Sequence, residues 1–80
     1  MHFVYIIRSI NCPEKIYVGR TEDVNKRLTS HNSGGSFHTE KFKPWKLVLY
    51  MGFENKKKAA EFEEYLKSGS GRAFRDKRLL

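Results

Sequence analysis

Cysteine, long apolar runs and acidic residues are all scarce in this chain, and each scarcity excludes something. Cys12 is the only cysteine among 80 residues, so an intramolecular disulfide is impossible and a disulfide-stapled secreted scaffold is ruled out. A reducing, cytoplasmic setting is the expectation. Cys12 sits in a loop beside Pro13 and carries no local signature of a nucleophile. No apolar run reaches the length that crosses a bilayer, so no membrane span is expected. The opening Met1-His-Phe-Val-Tyr5 goes straight into a strand pattern, without a basic n-region or a signal-type apolar core. No internal repeat, linker or second domain is visible.

What is present is apolar enough to fold. Hydrophobic residues make up 39% and aromatics 14%, too much for a disordered tail, and the length suits one domain (1–80) with a modest core. Lys and Arg outnumber Asp and Glu by 16 to 9, giving a formal net charge of +7. That balance points to a polyanion: nucleic acid first, an acidic membrane surface second. A soluble domain that is merely basic is the plain alternative.

Apolar runs bounded by turn formers place a β-hairpin over residues 2–20, with strands around Phe3–Ile7 and Lys15–Arg20. Alternation puts Tyr5 on a face with Phe3 and Ile7, and Tyr17 on a face with Lys15 and Gly19. Gly19 permits a close approach of backbone or ligand. Helical spacing follows from Asp23 to Asn32, where Val24, Leu28 and His31 share a face and Thr21 is the expected N-cap. Arg27 and His31 lie four apart on one flank. Ser33-Gly-Gly-Ser36 begins a loop through residues 37–43 that mixes Thr39, Lys41 and Lys43 with aromatics, a composition suited to a phosphate backbone or bases.

Lys46–Phe53 is the third strand, apolar enough to be covered on both faces. Asn55 caps a helix over Lys56–Ser68 whose stripe is Ala59, Phe62 and Leu66, with Tyr65 alongside and Gly69 as the stop. The tail, Arg72–Leu80, is basic and anchored by Phe74, Leu79 and Leu80, with room for one more short helix. Glu63 falls inside or beside the stripe, where a carboxylate needs compensation. It has two readings: an i,i+4 ion pair with Lys67, or an oxygen ligand for magnesium or manganese.

Phosphodiester hydrolysis needs positive charge on the phosphoryl oxygens and a group that orients or deprotonates water. Arg27 with a metal on Glu63 would meet the first need; Tyr17 or His31 would meet the second.

The order Phe3-Val4-Tyr5, Tyr17-Val18-Gly19, Arg27, His31-Asn32 and a helical Glu63 resembles the GIY-YIG nuclease superfamily along nearly the whole chain. Lys43-Pro-Trp-Lys46 and Lys67-Ser-Gly-Ser-Gly-Arg-Ala-Phe74 are similar to its small standalone members. Phe3-Val4 stands where the name has Gly-Ile. The resemblance implies an α+β fold, a three-stranded antiparallel sheet flanked by helices in the order β-β-α-β-α, with a further short C-terminal helix as an option. It implies a divalent-metal-dependent nuclease acting on DNA, with branched or damaged DNA as an option. Tyr17 would activate water, Tyr5 and Arg27 would hold the scissile phosphate, His31 would join the proton network and Glu63 would carry Mg2+ or Mn2+. Arg20, Thr39, Lys41, Lys43, Arg72, Arg75 and Arg78 are the candidate DNA contacts. Arg72 to Asp76 offers no counterpart to the asparagine that several active members carry after the glutamate. A DNA-binding or repair-associated interaction module of the same fold is the alternative.

Overall fold

Alternation along the first strand decides the architecture. The computed structural model describes residues 1–80. In it β1 (His2–Ser9) carries four successive buried residues, Val4 to Ile7. A strand buried on both faces must lie inside a sheet. It does: β2 (Ile16–Thr21) and β3 (Trp45–Phe53) flank it, both antiparallel, in the order β2-β1-β3. Helices α1 (Val24–Asn32), α2 (Phe37–Glu40), α3 (Lys56–Lys67) and α4 (Gly69–Phe74) complete the chain, which closes on a π-helical turn at Arg75–Leu79. The expected α+β sheet-and-helix architecture is the one observed.

The two sheet faces bury different chemistry. Val4, Ile6 and Val18 pack against Ala59 and Leu66 of α3, with Phe53, Phe62 and Leu79 around them. Tyr5 and Ile7 pack with Trp45 on the other face, joined by Tyr17 and Leu28. A register shift between Ile6 and Ile7 moves the β3 partner from Leu49 to Leu47. This bulge leaves Val48 out of the pairing, so Val48 and Leu49 both reach the α3 core while Leu47 joins the other cluster.

Several local expectations change. β3 is an edge strand with Tyr50 and Met51 exposed, not a strand covered on both faces, because the pairing makes β1 the middle strand. Asp23, not Thr21, caps α1: its side chain accepts from the Lys26 N–H at 3.0 Å, while the Thr21 hydroxyl accepts from the Asp23 N–H. Asn55 caps α3 as expected, accepting from the N–H groups of Lys57 and Lys58. That helix stops at Ser68 through extended backbone, and Gly69 opens α4 instead of terminating α3. Gly71 is the glycine the turn requires, since a Cβ there would overlap the carbonyl of Tyr65. Of the three tail anchors only Leu79 reaches the core; Phe74 lies tilted against Tyr65, and both it and Leu80 are exposed.

Candidate active site

Strand register brings the two phenols together. Tyr5 pairs with Gly19, and its ring lies across that residue, so a Cβ at position 19 would overlap the hydroxyl and sit 2.6 Å from Cζ. The bare backbone of Gly19 is therefore occupied by Tyr5. Tyr17, two residues earlier on the same face, places its ring 6.4 Å from that of Tyr5.

Helix α1 lies over this face and adds two side chains one turn apart. Arg27 Nε donates to the Tyr5 hydroxyl at 3.3 Å, and His31 Nε2 lies 2.7 Å from the same oxygen. The imidazole also stands edge-on to Tyr17, with ring centroids 5.1 Å apart. Thr39 of α2 closes the set, with its hydroxyl 2.6 Å from His31 Nδ1. Trp45 Nε1 donates to the Thr39 carbonyl at 2.8 Å, and Asn32 grips the Trp45 backbone by accepting from its N–H and donating to its carbonyl.

Burial sets the charge states. His31 is wholly enclosed, and desolvation, helped by the Arg27 charge, lowers its pKa to about 4, so the ring is neutral at pH 7. Desolvation raises the Tyr5 pKa, against the opposing hydrogen bond and charge of Arg27, so its proton stays on. The hydrogen bond to Tyr5 holds Arg27 more firmly charged. At neutral pH the cluster is one fixed cation, a phenol and a neutral imidazole.

Glu63 makes the ion pair of its first reading and adds a second cation. Its Oε2 accepts from Lys67 Nζ at 3.0 Å, the predicted helix pair, and its Oε1 accepts from Arg20 Nε at 3.0 Å. The side chain is only 17% exposed. Its charge reaches Tyr5, where it is the smallest of the causes that raise that pKa. No group of three His, Cys, Asp or Glu side chains could hold a metal ion. The donor chemistry suits a hard cation that keeps most of its water and takes one carboxylate. The two partner cations, half to two-fifths exposed, would have to swing aside for it.

The GIY-YIG catalytic domain family matches residues 1–77. The chain belongs to that family. A UPF0213 protein of Clostridium perfringens is 40% identical over 68 residues, which cover 84% of this chain and 71% of that protein. The structure-specific endonuclease subunit SLX1 of Debaryomyces hansenii is 37% identical over 70 residues. That alignment covers 79% of this chain and 20% of the SLX1 subunit, so the chain spans about a fifth of that relative's length. The solution NMR structure of a UPF0213 protein from Bacillus halodurans shares the fold, with a TM-score of 0.53 and 32% identity over 90% of this chain and 78% of that one.

Within this GIY-YIG domain the candidate DNA contacts divide. Lys41, Lys43, Arg72 and Arg78 are exposed and outside every ion pair. Arg20 is tied to Glu63, and Arg75 donates to Asp76 with only 16% of its side chain exposed. Thr39 is corrected outright. It is 1% exposed and its hydroxyl faces His31, because residues 37–40 form a helical turn that points it inward and leaves Phe37 in solvent. His31 likewise has both ring nitrogens engaged and no edge open to water. Sequence reasoning missed the Asn32–Trp45 brace, although Trp45 lies in the quoted Lys43–Lys46 stretch, and missed Arg20 as the second partner of Glu63.

Proposed function

We propose that this domain is a divalent-metal-dependent endonuclease that hydrolyses DNA phosphodiester bonds and selects DNA by structure more than by sequence. One observation carries the reading: Arg27 and His31 converge on the hydroxyl of Tyr5, beside Tyr17, on a protein of net charge +7. Arg27 and the Tyr5 hydroxyl donate to the phosphoryl oxygens, where negative charge grows in the transition state. Tyr17, the less buried phenol, orients the attacking water. His31 works through Tyr5, since no water reaches its ring. Magnesium or manganese on Glu63 supplies positive charge to the phosphate when bound. Lys41, Lys43, Arg72 and Arg78 are the backbone contacts. One small domain of residues 1–80, in a reducing cytoplasm, offers too few base contacts to read a long sequence.

A second reading has its own observation: both oxygens of Glu63 are held by cations. A domain that keeps this clamp closed binds DNA without cutting it, as a binding or repair-associated interaction module. Purified protein with magnesium or manganese, and labelled branched and linear DNA, decides between them. Cleavage that disappears in Glu63→Ala while binding persists supports the nuclease. Salt-dependent binding without any cutting supports the module, and absence of both leaves a protein-interaction domain.

A further inference from the structure

The hydroxyl of Thr39 has two acceptors within reach and one proton to give. His31 Nδ1 is 2.6 Å away; the Ser36 carbonyl is 3.4 Å away. That carbonyl already accepts from the N–H groups of Thr39 and Glu40, at 3.2 and 3.0 Å, which uses both of its lone pairs. Nδ1 is the closer partner and the carbonyl is already saturated, so the hydroxyl donates to Nδ1. A neutral imidazole carries one proton, which then sits on Nε2 and is donated to the Tyr5 oxygen 2.7 Å away.

The consequence falls on Tyr5. Its oxygen receives His31 Nε2–H and Arg27 Nε–H, which occupy its lone pairs. Its own proton must point elsewhere, free for an acceptor brought by the substrate. The other tautomer reverses this: Nδ1–H would donate to Thr39, Tyr5 would give its proton inward to Nε2, and nothing would remain for a phosphoryl oxygen. From this geometry we infer that Thr39 is a positioning residue, whose hydroxyl fixes the His31 tautomer and so decides whether the Tyr5 proton faces the substrate. The Trp45 bond to the Thr39 carbonyl, itself braced by Asn32, keeps the hydroxyl in place. The chemical consequence rests on the nuclease reading; the tautomer does not.

Ring-15N-labelled histidine in the full chain, with His2 and His38 replaced by Gln, reports the His31 tautomer directly by NMR at pH 7. The expected spectrum has Nε2 protonated and Nδ1 bare. A protonated Nδ1 in the otherwise unaltered protein overturns the inference, and this readout needs no change at Thr39. In Thr39→Val both tautomers should appear, with kcat lower by on the order of tenfold to a hundredfold and DNA affinity unchanged, whereas Thr39→Ser should stay within about twofold. A Thr39→Val protein that keeps Nε2–H alone overturns it too. Nε2–H in a protein that cleaves no DNA upholds the tautomer and sinks only the nuclease reading.

Discussion

The two faces of the sheet are built from neighbouring residues of the same strands and behave as different materials. Toward α3 the sheet presents Val4, Ile6 and Val18 to Ala59 and Leu66, a core whose stability is burial and packing. Toward α1 it presents Tyr5 and Tyr17 to Arg27 and His31, a layer in which the Tyr5 hydroxyl, both His31 nitrogens and the Thr39 hydroxyl are tied to one another by hydrogen bonds. A strand alternates sides with every residue, so one β1 serves both. The lesson is a division of labour: the α3 face holds the fold while the α1 face is left free to hold specific protons. Only Glu63 joins the two, riding on the α3 side while its charge reaches Tyr5.

The comparison breaks first at Arg27. Arg27→Ala is expected to slow cleavage on the order of a hundredfold or more, with a smaller loss of DNA affinity, because its main target is charge that develops in the transition state. Equal losses of rate and affinity would make Arg27 a phosphate anchor and nothing else. On the opposite face Leu66→Ala, at a wholly buried position, should cost about 3 kcal/mol in denaturant unfolding and leave the rate per folded molecule alone. A change in that rate would show that the faces are not independent.

Acid should separate them as well. The folded-state pKa of His31 lies below its ordinary 6.5, at about 4, so the unfolded chain binds the proton more readily. The stabilisation from a neutral His31 is complete above pH 6.5 and is lost as pH falls through 4, amounting to about 3 kcal/mol at the limit. Stability that is flat between pH 6.5 and 4 would place the imidazole in water. The smallest effect belongs to the surface: removing Arg72 and Arg78 together should weaken DNA binding evenly across sequences and lower the salt slope by roughly 1 to 2. An unchanged slope would take the tail out of the binding surface.

Much of the polar face was legible beforehand. Period-two alternation and a hairpin were enough to put Tyr5, Tyr17 and Gly19 close together, and period 3.6 put Arg27 beside His31. Glu63 was readable only as a choice, because its partner Arg20 lies 43 residues away. Thr39 was misread for a physical reason: a hydroxyl amid lysines looks like surface, and a single helical turn that inverts it leaves no periodic trace. The burial of β3 was overestimated because an apolar strand reads alike at the centre and at the edge until the strand order is known.

Local spacing alone settled the three strands and the helices α1 and α3, which of their side chains share a face, and that the chain would be cationic, since these depend on repeats of two or 3.6 residues and on charge count. Proton ownership came only from the assembled fold. A bond such as that between Tyr5 and His31, 26 positions apart, is made or lost over a few tenths of an ångström, and no pattern among near neighbours carries a distance that fine.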